Sequence, residues 1–407
     1  MRIVISIIII LINCCIIRGQ LINYEKIAYF SKDSIKSIWK SKHIPKSIAK
    51  VKNGVTIYRV SYYTKWIDGT KIKATGSFFL PDNSRQNPLL VYNHGTRIKK
   101  GAPKILGGEN IMCLIFSSDG YYTISPDYIG LGEGEKSHLY CNVNTEASAG
   151  IDFILATKEL FNELNLAAYK QLFISGYSQG GHSAMAIHKT IEEEYDDQIK
   201  ITASCPMSGP YNIAGEQEKI MYKSYNSSSY LPYLIIGLNK AYNIWDEASL
   251  YKIFIPPYDT LIPQLFDGKH SLNKINKLLP KVPIDMIIPE IRDQYDNNNA
   301  FILKELLKKN DVSNWKPNAP IQMCYCKGDQ EVPFQNALVT KKNMDILGAE
   351  NVKTKCASKR YGHNKCAGVS TIYAKWYFDS FVKGSKNGKK GPIFGRFLIL
   401  MYKMTHF

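Results

Sequence analysis

The sequence predicts an α/β chain: a mainly parallel central sheet with helices on its faces, interrupted late by a helical insertion. Three observations predict it. Short apolar runs alternate with stretches of helical period between about residues 88 and 204, the rhythm of strands joined by crossover helices. Two earlier runs alternate apolar and polar residues about a hairpin turn, the pattern of an antiparallel start. The rhythm then stops near residue 214 and resumes at 321, leaving a segment of about 100 residues that belongs to neither pattern.

The elements follow in order. After a polar segment near residues 25–50, residues 55–63 (VTIYRVSYY) alternate and are rich in β-branched and aromatic side chains. Asp68-Gly69 turns the chain into a second strand over 71–80. Residues 88–92 (PLLVY) are a continuous apolar run, as in a strand buried on both faces. A helix near 109–118 and a strand at 121–125 come next. Over 145–166, Ala147, Ile151, Ile154, Leu155, Lys158 and Phe161 recur at roughly helical spacing. A strand at 171–175, a helix over 178–194 and a strand at 201–204 complete the first half. The middle, 214–319, is rich in Tyr, Pro and Leu, with helical patches such as 230–242 and 297–309. Strands are expected again at 321–327 and 353–358, followed by a helix near 368–382. The expected boundaries are a core of 20–213 and 320–383, the insertion 214–319 and a basic, apolar tail at 384–407.

Composition narrows the class. The chain has 407 residues, 45% hydrophobic and 21% charged, enough to bury a large core without disulfides. Disordered, collagen-like and multi-span membrane chains are excluded, and no repeat of solenoid length is visible. Lys and Arg exceed Asp and Glu by 52 to 35, a net charge of +17. Such an excess suits anionic partners, but the lysines are scattered as on a solvated surface. The densest group, Lys383, Lys386, Lys389, Lys390 and Arg396, comes with no nucleic-acid motif, so no nucleic-acid partner is expected.

Residues 1–19 read as an export signal. Arg2 precedes an apolar run of 15 residues from Ile3 to Ile17, short for a bilayer span and of the length of a cleaved signal. The expected location is outside the cell or in its envelope. Cys14 lies in a weak lipoprotein-like context, since Asn13 occupies the place of the usual small residue; lipid anchoring ranks below plain secretion. Seven cysteines remain beyond this segment. An odd count leaves at least one thiol free in an oxidising compartment. Cys356 and Cys366, ten residues apart, are the best-placed pair for a bridge. Cys324 and Cys326 point to one face of a strand and read as small core residues, and no cysteine has zinc-ligand spacing.

The chemistry gathers at residues 172–181, LFISGYSQGG. A strand running into Gly176-Tyr177-Ser178-Gln179-Gly180 and then a helix is the nucleophile-elbow pattern. Gly176 and Gly180 are small because the turn leaves no room beside the serine. The turn lifts Ser178 Oγ to the sheet's edge and aims the Gln179 amide at a reacting oxygen. Chains with this elbow run in the order serine, acid, histidine. Of eight histidines, only His363 and His406 lie beyond the resumed sheet, and His406 is next to the end of the sequence. His363, in Tyr361-Gly362-His363-Asn364, is the expected base. Asp329, at the edge of the preceding strand, is the expected acid that orients it; Glu331 is the fallback, while Asp345 and Glu350 belong to the next helix. A second oxyanion donor is expected from Asn93-His94-Gly95-Thr96, where Gly95 lets the Thr96 N–H turn inward and the His94 side chain braces the loop.

With these pieces in place the sequence resembles the α/β-hydrolase superfamily, and within it the secretory lipases and their bacterial secreted relatives, over roughly residues 55–383. The resemblance rests on VYNHGT, on ISPDYIGLG at 124–132, on GYSQGG, on the long insertion, on Gly328-Asp329-x-x-Val332-Pro333 and on Gly362-His363 before Cys366. It implies that the Asp127-Tyr128 loop borders the site, with Asp127 a structural brace, and that 214–319 forms a helical lid. The leading reading is a secreted serine hydrolase of carboxylic esters, of the lipase or esterase type, acting through an acyl-enzyme. It needs no metal or cofactor. Its partner would be a small ester or a lipid, with peripheral contact to a lipid interface if residues 230–236 serve that end rather than lid packing. A serine peptidase or aminopeptidase is the alternative; it would need a carboxylate such as Glu216, Glu218, Asp246 or Glu247 to hold an amine. A non-catalytic binding protein of the same fold is a third reading, opposed by a complete set of nucleophile, base and acid. Oligomeric state is not legible.

Overall fold

The computed structural model describes residues 21–45, 49–386 and 388. The expected export segment and most of the 384–407 tail therefore lie outside the described residues. Among the described residues nine strands form one sheet: β1 (Leu21–Phe30), β2 (Val55–Lys65), β3 (Lys71–Pro81), β4 (Leu89–Asn93), β5 (Tyr122–Pro126), β6 (Leu172–Tyr177), β7 (Ala203–Met207), β8 (Ile321–Cys326) and β9 (Val352–Ser358). Their order is β1-β2-β3-β5-β4-β6-β7-β8-β9. Pairings from β1 to β5 along this order are antiparallel, and those from β5 to β9 are parallel. The α/β class and the antiparallel start are as the sequence predicts.

Alternation along the buried strands sorts two apolar layers. Leu89, Val91, Leu172 and Ile174 point to one face and meet helices α3 (Val143–Glu163) and α4 (Gln179–Glu194) through Ile151, Ile154, Ile187 and Ile191. Leu90, Tyr92, Phe173 and Cys205 point to the other. They meet α1 (Lys32–Ser41), α2 (Asn110–Ser118) and α12 (His363–Val382) through Trp39, Leu114 and Phe378. Helix α11 (Gln335–Ile346) joins β8 to β9 and packs on the first layer through Ala337 and Met344.

Between Met207 and Ile321 the described chain adds no strand to the sheet. A π-helical turn (Ile213–Gln217) and a 3-10 turn (Glu218–Tyr222) lead into α5 (Tyr230–Tyr242), α6 (Glu247–Tyr251), α7 (Tyr258–Leu265), α8 (Leu272–Asn276), α9 (Pro289–Asn297) and α10 (Ile302–Lys309). This segment builds its own apolar cluster around Ile236, Phe254, Ile262, Met286 and Leu306. Among the described residues no helix is long and apolar enough to cross a membrane.

Three expectations need correction. Residues 25–50 are not simply a polar lead-in: they include most of an edge strand, β1, and a helix, α1. Helix α12 begins at His363, earlier than the expected 368, so the histidine opens a helix rather than ending a loop. The expected Cys356–Cys366 bridge is absent. Cys366 is bonded to Cys326 instead, with Cα atoms 5.9 Å apart. The reason is the side of the sheet: Cys356 packs toward the α3/α4 layer, whereas Cys326 and Cys366 both lie in the α2/α12 layer. Cys324, two residues before Cys326, stays a free, buried thiol.

Candidate active site

Strand β6 runs directly into α4 through a single strained residue. Ser178 has φ 59° and ψ −123°, a conformation side-chain-bearing residues rarely adopt. Its backbone N–H is held by the Met207 carbonyl of β7 at 3.0 Å. The turn can close only on glycine: a Cβ on Gly180 would overlap the Asn93 carbonyl of β4, and one on Gly176 would overlap the Gly180 carbonyl. The Ser178 side chain makes no capping bond to α4, so Oγ is not consumed by the helix. Gln179 is the first residue of that helix, and an N–H at this position has no acceptor within the helix.

The two other chemistry-bearing side chains come from the ends of β8 and β9. His363 Nδ1 lies 2.8 Å from Asp329 Oδ2 and 3.0 Å from Oδ1. Asp329 is itself fixed by the amides of Glu331 and Val332, each 3.0 Å from Oδ1. Because Nδ1 faces a carboxylate it carries the proton, which leaves the Nε2 lone pair as the basic site. Burial opposes a charged imidazole here, but Asp329 outweighs it and the His363 pKa is raised. Tyr177, beside the serine, donates its hydroxyl to the His363 carbonyl at 2.5 Å, and the two rings lie 4.9 Å apart. Glu331 Oε2 sits 4.0 Å from Nε2, on the other side of the ring from Asp329.

The loop after β4 forms the opposite wall. Asn93 Nδ2 donates to the Ser175 carbonyl and its Oδ1 accepts from Ser183, fastening the loop to the elbow. The Gly95 N–H donates to Glu109 Oε1 at 2.6 Å, and the Tyr92 hydroxyl to Glu109 Oε2 at 2.8 Å. Burial pushes the Glu109 pKa up to about 7. The Thr96 N–H has no backbone acceptor among the described residues. His94 is buried with Nδ1 2.7 Å from the Gly95 carbonyl and Nε2 3.3 Å from that of Asp127; burial, then the Arg97 charge, lowers its pKa to about 4. Tyr128, at φ 68°, donates its hydroxyl to the His94 carbonyl. Asp127 takes Arg59 and, at 2.7 Å, Thr75, with Arg97 3.4 Å away. Its carboxylate ties three segments together.

A second buried layer supports the elbow from below. Gln179 Nε2 donates to Glu146 Oε1 and to His138 Nε2, both at 2.8 Å. Glu146 Oε2 meets His182 Nδ1 at 2.7 Å, and His182 Nε2 meets the Asn310 carbonyl at 2.8 Å. Cys141, Glu146 and His182 present ligand-type atoms within 4.8 Å of one another. Both ring nitrogens of His182 face oxygen acceptors, however, so each carries a proton and neither offers a lone pair to a metal. Burial works against the charged ring, but Glu146 outweighs it and the His182 pKa is raised. The cluster is an ion pair that fixes the residue after the nucleophile.

The sequence reading named Ser178, Asp329, His363, Gln179 and Thr96 but not Glu109, Tyr177, Glu146 or His182. These depend on contacts between distant segments. Only Tyr177 carried a local signal, its place inside the elbow.

Two cavities lie at the edge of this arrangement; His363 lines the larger, and the smaller is reached through Val332, whose amide holds Asp329, and Tyr140, which accepts from the Thr96 hydroxyl. One, of about 90 Å³, is lined by Tyr140, Ile213, Met221, Tyr230, Leu231 and Val332 among others. The other, of about 860 Å³, opens to solvent along His363, Glu331, Arg360 and Lys223. Ile220 and Tyr225 line both.

No protein-family model matches the chain, and no curated protein does. Solved structures do. A putative hydrolase from Legionella pneumophila is 29% identical over 90% of this chain and 99% of its own, with a TM-score of 0.82. A ligand-bound form of the rice cell wall degrading esterase LipA from Xanthomonas oryzae is 26% identical over 88% of this chain and 95% of its own, with a TM-score of 0.78. Candida antarctica lipase A in its closed state is 16% identical over 92% of this chain and 85% of its own, with a TM-score of 0.69, a likeness of fold. The chain has the α/β-hydrolase fold, and the putative hydrolase and the esterase among its solved neighbours support a hydrolase.

Proposed function

We propose that this α/β-hydrolase-fold chain is a secreted serine hydrolase of carboxylic esters, with the helical insertion acting as a lid over the acyl group. The observation that carries the reading is the Asp329–His363 pair after β8 and β9 together with the strained Ser178 elbow after β6. Ser178 Oγ attacks the ester carbonyl as His363 Nε2 takes its proton, and Asp329 holds the imidazolium that forms. The oxyanion rests on the Gln179 and Thr96 amides, each worth ~2.7–4 kcal/mol in such sites. His363 then returns the proton to the leaving alcohol. Water attacks the acyl-enzyme by the reverse path and frees Ser178.

We place the acyl group in the 90 Å³ cavity, beside Tyr140 and Val332, which favours an ester with a short acyl group. Its walls are largely apolar, and it is smaller than the ~150 Å³ that holds a benzene ring; an acyl group of about two to four carbons fits. The amide alternative has weaker support, since Glu218, which also lines this cavity, is engaged by a tyrosine hydroxyl. Among its candidate carboxylates, Glu216 pairs with Lys219, Glu218 takes the Tyr295 hydroxyl and Asp246 caps α6.

The test is hydrolysis of 4-nitrophenyl esters from acetyl to palmitoyl by the wild-type protein and by Ser178→Ala. Turnover should be greatest from acetyl to butyryl and should fall by ~10⁴-fold or more in the variant. Ester turnover that survives in Ser178→Ala, or none in the wild type beside cleavage of aminoacyl amides, would overturn the reading.

A further inference from the structure

The alcohol half of the substrate has a different environment from the acyl half. His363 must return its proton to the leaving oxygen, so the alcohol has to depart along the side of the site that His363 lines. That side is the open cavity of about 860 Å³, not the small apolar one. Its walls are polar and basic. Lys223 follows the 3-10 turn, Arg360 comes from the loop after β9, and Lys365 from the first turn of α12; all three line the cavity. Lys223 and Arg360 are exposed and pair with no carboxylate among the described residues. Glu331, the one carboxylate in the lining, faces the Tyr230 hydroxyl and His363. Lys281 stands behind the rim, its Nζ 3.2 Å from Asn226 Oδ1, and Asn226 lines the cavity. Cations from three separate segments thus converge where the leaving group must lie.

We propose that this cavity is a leaving-group subsite for an anionic alcohol, so that the preferred substrate is a short-chain ester whose alcohol part bears a phosphate or carboxylate. The inference rests on the ester-hydrolase reading and adds the chemistry of the second half of the substrate. The cavity is open and Lys223 and Arg360 are exposed, so the gain comes from summed, salt-sensitive attraction rather than one buried bond. It acts on binding, hence chiefly on KM. A neutral alcohol of the same size has nothing to set against desolvating these groups.

Matched esters test it, because the scissile bond stays constant while a remote charge changes. Glycerol monobutyrate is compared with 1-butyryl-glycerol 3-phosphate, and a butyrate ester of glucose with that of glucose 6-phosphate. A glycerophosphocholine butyrate, whose phosphate is neutralised by its own cation, is the third arm. The phosphate-bearing member should lead each pair by about tenfold in kcat/KM at low ionic strength, mostly through KM, and the lead should shrink severalfold in 0.5 M NaCl. Lys223→Glu and Arg360→Glu should each cut the phosphate-to-neutral ratio, and together bring it to one or below. A lead confined to the glycerol pair assigns a lipid headgroup; a lead in both assigns the anion alone. Equal rates within both pairs at low salt overturn the subsite and leave the ester reading standing. Absence of Ser178-dependent turnover on every ester takes down the ester reading, and the subsite with it.

Discussion

Glu109 holds the loop after β4 from behind, and its charge state bears on His363. Its carboxyl accepts from the Gly95 amide and the Tyr92 hydroxyl, yet burial outweighs both bonds and brings its pKa up to about 7. Once ionised it joins Asp329 and Glu331 among the charges that favour imidazolium at His363. Glu109→Gln keeps the size and an acceptor while removing the charge. The acid limb of kcat/KM against pH, which reports deprotonation of His363 in the free enzyme, should therefore move to lower pH in this variant. A limb that stays in place, in a protein of unchanged Tm, would show that Glu109 acts on the loop alone. Sequence reasoning reached Ser178, Asp329 and His363 because each follows a strand and stands beside a glycine or within a turn. It passed over Glu109 and Arg59 because nothing local marks them. The Arg59 partner, Asp127, is 68 positions away, and only the pairing of β2 with β3 and β3 with β5 brings them together.

On the proposed reading, helix α5 sets the depth of the acyl pocket. Leu231 and Leu234 line the 90 Å³ cavity and also a second one, of about 40 Å³, that runs toward Ile284, Ile287 and Tyr295. Met221 and Leu307 border both as well, so these four side chains form the partition. Leu231 is half-buried, and Leu231→Ala removes three carbons from that wall at a stability cost of about 1–2 kcal/mol. The joined space should shift the best 4-nitrophenyl ester from the acetyl–butyryl range toward hexanoyl or octanoyl. An unchanged chain-length profile would place the acyl group elsewhere. The same scale shows why some elements were legible and others not. Strands β4 and β6 are buried along their whole length and read as apolar runs, whereas β7, at Ala203–Met207 with Ser204 and Pro206 inside it, lies later than the expected 201–204. Strand β1 is an edge strand, largely exposed and broken by two irregularities in its pairing with β2, so its hydrophobic alternation is erased. The Cys326–Cys366 bond was hidden for a related reason: spacing along the chain does not say which face of the sheet a cysteine takes, and Cys356 takes the other one.

At the scale of the whole molecule, buried titrating groups separate the pH of greatest stability from that of greatest activity. His94 and His138, neutral and buried, have pKa values lowered to about 4, burial being the first cause of each. Unfolding lets them gain protons, so stability rises with pH from about 4 to 6.5. Burial raises Glu109 to about 7 and Asp152 to about 6. The folded state then holds protons that the unfolded state has already lost, so stability falls as pH climbs toward 7. These two pairs largely cancel between about pH 4.5 and 6. Above about 6.5 the unfolded histidines are neutral, while folded His182 and His363 keep their protons through Glu146 and Asp329 despite burial. The stability of those ion pairs is fully present below that pH and is lost as pH rises through the raised folded values. On the acid side, burial of Asp119 is outweighed by Lys375 and Lys52, which lower its pKa, so its contribution disappears as pH falls. The midpoint of thermal unfolding, followed from pH 4 to 9, should thus peak at about pH 5–6.5 and decline toward 8.5. With His363 as the base of the proposed mechanism, activity requires it neutral and should peak on the alkaline side of that maximum. Asp329→Asn should flatten the alkaline decline, since it removes the charge that keeps His363 protonated. A Tm that keeps rising from pH 6.5 to 8.5 in the wild type would show that these buried pairs do not govern the molecule's pH response.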